Sequence, residues 1–317
     1  MAKKYVLQTF IFLILVGISY TTMSNPYTDH YVSVMKNLSV TAVDKNDPLY
    51  QEITDRASDY EKKPQNARMD HVWKKIPGLE GRKVDIEKSY ARMKKKGNFD
   101  ENLIVFEHIK PRVSLEDLPP GPIYRGNPEK RMVSFLINVS WGNEYIPSML
   151  ETLKDHHVKA TFFLEGKWAR DHVDLVKMIA EEGHEIGNHA YNHPDMKNLN
   201  RTQIQQQISR TNEIIEAITG EKPKFFAPPS GAFNETVVQV AHELNMETIL
   251  WTVDTIDWRN PEKSVLINRV LSKVSPGSMI LMHPTEVTSE SLDQLVLKIK
   301  EKEYKIGTVT KLLSEKR

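Results

Sequence analysis

Between Gly183 and Pro194 the chain reads GHEIGNHAYNHP, with three histidines, His184, His189 and His193, in twelve positions. His189 and His193 stand four residues apart among small and polar neighbours. That spacing lets two imidazoles reach one metal ion from a single helical turn or a tight loop. Taken alone, the pair fits surface histidines clustered in a loop equally well. The chain has no cysteine, which excludes disulfides, thiolate nucleophiles and Cys-ligated zinc. A metal ion here must be held by His and carboxylates. Other polar, titratable and aromatic groups stand in four further clusters: Asn138 to Glu144 (NVSWGNE), Ala227 to Gly231 (APPSG), Asp254 to Trp258 (DTIDW) and His283-Pro284.

Each cluster follows a short apolar run. Met132–Val139, Ala160–Leu164, Glu185–Gly187, Phe225–Phe226, Thr248–Val253 and Ser278–Met282 read as strands. Between and after them, residues 145–157, 173–183, 202–220, 236–245, 261–274 and 291–302 read as helices, two of them closed by Gly183 and Gly220. Regular alternation of strand and helix predicts an α/β fold of right-handed βαβ units. The number of units, near seven, favours a barrel over a flat sheet. In such a barrel the loops at the C-terminal ends of the strands carry the active site. The five clusters then share one rim, which favours metal ligation over chance clustering.

Ahead of this region, Lys3 and Lys4 precede an apolar run, Tyr5 to Tyr20, and a polar stretch follows it. This is the pattern of a signal peptide or membrane anchor over residues 1–24. Residues 25–48 read as a tether and 49–122 as a small α+β domain. In it, residues 50–57, 69–76 and 84–93 look helical and Ile104–Phe106 looks like a strand. The basic tract Arg92–Lys96 reads as a solvated helix end. Leu118-Pro119-Pro120-Gly121-Pro122 marks a boundary, since proline bars helix and interior strand. The second domain is then residues 123–317. A net charge of +1 and a pI near 7.8 argue against bulk nucleic-acid binding.

KATFFLEG, EEGHEIGNHAYNHP, the PPSG turn, WTVDTIDW, PGSMILMHP and YKIGTVTKLL occur in that order over residues 131–313. In these the chain resembles the polysaccharide deacetylases with a NodB homology domain, carbohydrate esterase family 4. NVSWG and the upstream segment look like a sporulation- or envelope-associated branch in Gram-positive bacteria. The resemblance implies a deformed (β/α) barrel. It also implies hydrolysis of acetyl groups from N-acetylglucosamine or N-acetylmuramic acid polymers such as peptidoglycan. The cofactor it implies is a divalent metal, zinc first, with cobalt or manganese also suitable. His189 and His193 match the metal histidines, His283 the general acid, and Asp257 the carboxylate that orients it. Trp258 shapes the pocket wall, and Pro229 belongs to the motif lining it. The implied setting is the outer face of the membrane or the cell wall, with the membrane reached through the N-terminal segment, and a monomer.

The first motif departs from the family's usual TFDDG. Asn138 stands where the general base is expected and Val139 where a metal carboxylate is expected. Asn138 can bond water but cannot take its proton near neutral pH, and general-base catalysis supplies about 10²–10⁴-fold in rate. Glu144 is the nearby carboxylate that would have to compensate for Val139. Ala227 replaces an Arg that would orient the base, a companion change once the base is neutral. Trp141 suits either sugar stacking or filling of the barrel mouth. His184 reads as structural and Asp254 as a loop cap. The expectation is a deacetylase homologue with weak or lost activity, or an inactive glycan-binding or assembly protein on the same fold.

Overall fold

A computed structural model describes residues 2–23 and 45–317. Most of the expected tether lies outside the described residues. Helix α1 (Ala2–Met23) leaves Tyr5, Val6, the apolar run Phe10 to Val16 and Ile18 exposed. Among the described residues no helix is long and apolar enough to cross a membrane.

The chain divides into two compact units, one of residues 1–60 with 84–106, the other of 61–83 with 107–317. In the first, α2 (Pro48–Tyr60) and α3 (Ile86–Met93) enclose Ile53, Ala57, Tyr90 and Met93. Asp85 caps α3 by accepting from Lys88 N at 3.0 Å, which sets the helix start at Ile86. The strand expected at Ile104–Phe106 runs instead over Phe106–Ile109, after a 3₁₀ turn at Glu101–Leu103.

The second unit begins with a hairpin, β1 (Arg68–Asp70) against β2 (Lys74–Ile76), where a helix was expected. Asp70 Oδ1 accepts from Val72 N and Trp73 N, both at 2.8 Å. This local turn competes with helical hydrogen bonding and reverses the chain. The next strands in the chain are β3 (Gly81–Val84) and β4 (Phe106–Ile109).

Seven strands then form a curled parallel sheet: β5 (Met132–Val139), β6 (Thr161–Leu164), β7 (Glu185–Asn188), β8 (Phe225–Phe226), β9 (Glu247–Thr248), β10 (Val253–Asp254) and β11 (Met279–Met282). Their order is β10-β11-β5-β6-β7-β8-β9, and β12 (Lys305–Ile306) also pairs with β5. The single strand expected at Thr248–Val253 is two, at opposite ends of this order. Ile249–Thr252 crosses the seam of the barrel between them. Ile123 stitches that seam, donating to Thr248 O and accepting from Leu250 N, both at 2.8 Å, while Thr252 N donates to Met279 O at 3.0 Å. Lys75, fully buried, pairs with both carboxylate oxygens of Glu247 at 2.7 and 2.9 Å. Hence the expected boundary near Pro122 does not divide these units: the hairpin and Ile123 belong with the barrel because they close it.

Strand alternation sorts side chains into two cores. Val133, Phe135, Ile137 and Val139 point outward, beneath helices α4 (Ile146–Asp155), α6 (Val173–Glu181), α9 (Lys263–Lys273) and α10 (Glu286–Glu301). Leu136, Phe163, Ala227, Ile249 and Met279 fill the inside. The remaining helices are α5 (Gly166–Asp171), α7 (Arg201–Thr219), α8 (Glu235–Glu243) and α11 (Val309–Leu313). The helix expected from Ser291 starts earlier, at Glu286, because Thr285 caps it by accepting from Thr288 N.

Candidate active site

At the C-terminal ends of the strands lies a cavity of about 430 Å³. Asn138, Ser140, Trp141, His189, His193 and His283 line it, together with Ser230, Trp251, Asp254, Trp258 and Leu281. All five sequence clusters therefore contribute to one pocket.

The end of β5 decides what the first motif offers. Asn138 faces the pocket and Val139, fully buried, turns into the core behind the sheet. Ser140, one step on, returns to the pocket face. The position read from sequence as the metal carboxylate is thus not Val139; the pocket-facing neighbour of Asn138 is Ser140. Glu144 is exposed and does not line the pocket, so it does not compensate. Asn138 Oδ1 is buried and, among the described residues, has no hydrogen-bond partner.

His283 and Asp257 form a tight pair. Asp257 Oδ1 accepts from His283 Nδ1 at 2.8 Å, and Oδ2 accepts from His283 N at 2.6 Å and Thr288 Oγ1 at 2.7 Å. Burial alone would raise the Asp257 pKa. The hydrogen bond and charge of His283, with Thr288, outweigh it and hold the carboxyl below its usual range. With Nδ1 committed to Asp257, Nε2 is the nitrogen left for the pocket, as an acid–base group requires.

His189 and His193 lie on a loop after β7, not on a helix. Ala190 and His193 take left-handed conformations there, with φ of 62° and 54°. The two rings meet edge-on with centroids 5.1 Å apart. Ala227 O lies 2.8 Å from His189 Nδ1; a carbonyl only accepts, so Nδ1 carries the proton and Nε2 keeps its lone pair. Burial first, then the charge of His193, push the His189 pKa down to about 3, so this ring is neutral. Nε2 of His189 is the right nitrogen for a metal, but among the described residues no carboxylate completes the pair with His193. Among the described residues no three His, Asp or Glu side chains gather closely enough to hold an ion. Two imidazoles without a carboxylate do not fit a tightly held dication.

Aromatic rings shape the rest. Trp141 and Trp258 are half exposed at the rim. Trp141 stacks on His283, with centroids 6.0 Å apart and planes 10° from parallel. Gly142 (φ 80°) allows this: a Cβ there would lie 1.9 Å from Pro284 O. Pro229, expected in the lining, is buried in the turn and Ser230 (φ 54°) faces the pocket instead. Ala227, at the expected Arg position, packs inside the sheet. Asp254 both caps its loop, accepting from Ile256 N at 2.8 Å, and lines the pocket. It supports Ile256, a β-branched residue held at φ 54° just before Asp257. Trp251 escaped the sequence reading because it sits inside an apolar run; only the seam crossing turns it toward the pocket. His184 is buried away from the pocket and accepts from Ala160 N at 3.1 Å, a structural role.

Comparison with known proteins places this geometry. A family model for polysaccharide deacetylase matches residues 125–249. The chain is 55% identical over its full length to a Bacillus subtilis protein described as uncharacterized, YlxY, covering 99% of it. It is 31% identical over 198 residues to the Bacillus subtilis peptidoglycan-N-acetylmuramic acid deacetylase PdaA, with 61% of this chain and 75% of that protein covered. The crystal structure of BA3943, a carbohydrate esterase family 4 pseudoenzyme from Bacillus anthracis, superimposes with a TM-score of 0.83 at 53% identity. That match covers 85% of this chain and 96% of the other, and a mutant of BA3943 with restored enzymatic activity has the same TM-score. On sequence and fold together, the chain belongs to the polysaccharide deacetylase family.

Proposed function

We propose that this pocket binds N-acetylated glycan of the peptidoglycan type and turns it over slowly or not at all. The observation that carries the reading is Asn138, whose buried side-chain oxygen has no partner among the described residues and which lines the pocket together with Trp141 and Trp258. Its free oxygen suits the N–H of an acetamido group, and Trp141 and Trp258 offer flat apolar faces to a pyranose ring. Any zinc, cobalt or manganese would be held weakly by His189 and His193.

The intact His283–Asp257 pair favours a second reading, residual deacetylation with His283 as the acid. The N-terminal apolar run, flanked by Lys3 and Lys4, supports export and placement at the outer membrane face or cell wall of a Gram-positive bacterium, in an envelope or sporulation role. On this view the unit of residues 61–83 with 107–317 is the glycan-binding one.

Calorimetry with chito-oligosaccharides and soluble peptidoglycan fragments, alongside an acetate-release assay, separates the readings. Binding without acetate release supports the first. Replacing Trp141 or Trp258 with Ala should weaken binding about tenfold, or ~1.4 kcal/mol. Absence of binding by the intact protein defeats the proposal.

A further inference from the structure

His172 stands outside the pocket, between α5 and α6, and its partners fix its proton. Trp168 Nε1 lies 2.6 Å from Asn143 Oδ1. An indole nitrogen only donates, so the Asn143 oxygen must face Trp168 and its Nδ2 must face His172. Nδ2 is 2.7 Å from His172 Nε2, which must therefore accept. His172 Nδ1 is 2.9 Å from Trp168 O and must donate. The imidazole also stacks on the Trp168 indole, with centroids 5.1 Å apart. Only the neutral ring with its proton on Nδ1 satisfies every partner.

Asn143 ends the short loop that carries Trp141 and Gly142. Gly142 presses against Pro284 and Trp141 lies over His283. The network therefore holds the base of the loop that forms one wall of the pocket.

We propose that Trp168, Asn143 and neutral His172 form a latch that positions Trp141 over the pocket, and that protonation of His172 opens it. A second proton would place an N–H of His172 against the N–H of Asn143. Turning the amide over does not help, because its oxygen would then face His172 while its Nδ2 faced the Trp168 indole, donor against donor. The charged group that acts on the ring is Asp171, itself paired with Arg170 at 2.8 Å; Asp174 stands two residues beyond His172, in the first turn of α6. Glu144 follows Asn143 on the loop and is exposed. Among the described residues none of these carboxylates is hydrogen-bonded to the ring, so none offers the new proton an acceptor. Trp141 meets a further titratable group, His283, at the pocket. The effect on ligand binding rests on the glycan-binding reading; the latch does not.

The test uses the full chain with labelled Trp and His, followed by NMR from about pH 8 to about pH 5 without ligand. The Trp168 indole proton should lose its hydrogen-bonded shift in step with protonation of His172, and the Trp141–His283 ring contacts should weaken together with it. His172→Gln, whose carbonyl accepts from Asn143 and does not titrate, should hold both signals constant. A Trp168 signal unmoved while His172 protonates overturns the latch, as does the same titration in His172→Gln. A parallel titration with chitotetraose should show wild type losing about tenfold more affinity on acidification than His172→Gln. If the indole responds and neither protein binds chitotetraose, the latch stands and the glycan reading falls.

Discussion

At the residue scale, two side chains at the end of β5 set what this pocket can do. On the proposed reading Asn138 stands at the position of the base: an amide keeps the shape of a carboxylate but cannot accept a proton near neutral pH. Asn138→Asp should therefore raise acetate release from chito-oligosaccharide by about 10²-fold or more. Adding Ser140→Asp should raise bound zinc, because Ser140 faces the pocket that His189 and His193 line. Elemental analysis and an acetate assay on the single and double variants check both; unchanged values in the double variant would count against these assignments. The assignment of Asn138 to the position of the base comes from the family resemblance, and these variants test it. Assigning the neighbouring position to Val139 was not safe, because adjacent residues on a strand face opposite sides and only pairing shows which side is which.

At the element scale, the loops after the strands hold costly conformations. Ala190, His193, Ser230 and Ile256 all have positive φ and lie at or beside the pocket. The surrounding packing must over-determine them. At the other end of β7, His184 ties the start of that strand to β6, its Nδ1 accepting from Ala160 N and its ring edge-on to Phe162. Burial, then the charge of Lys159, press the His184 pKa down to about 4. A depressed pKa means that the unfolded chain takes up the proton first. The contribution is complete above the unfolded value of about 6.5 and is lost as pH falls toward 4, with an upper bound of about 3 kcal/mol. Thermal melts across that window should show the loss, and His184→Gln should flatten that part of the curve. Strands were readable because buried parallel strands are nearly continuous apolar runs. The hairpin of β1 and β2 was not, because Met69, Val72, Trp73 and Ile76 mimic helical spacing while Asp70 alone dictates the turn.

At the scale of the whole molecule, the barrel unit is closed by pieces far apart in sequence. Lys75 and Glu247 are the charged part of that closure. Glu247→Gln leaves a fully buried ammonium without its counter-charge and should cost about 3–5 kcal/mol. Replacing both partners with apolar residues, Lys75→Met with Glu247→Leu, should cost much less. Denaturant melts of the single and double variants decide it, and equal losses would show that the pair does not act as a unit. The sequence by itself determined the family, the alternation of strand and helix, the shared rim and the His189–His193 pair. Each is a matter of residue type and local spacing. Only the tertiary structure decided that Ser140 rather than Val139 faces the pocket, that Trp251 and Asp254 line it, and that residues 61–83 complete the barrel. Those depend on which strands pair and where the sheet closes, and contacts between distant segments leave no periodic trace in the chain.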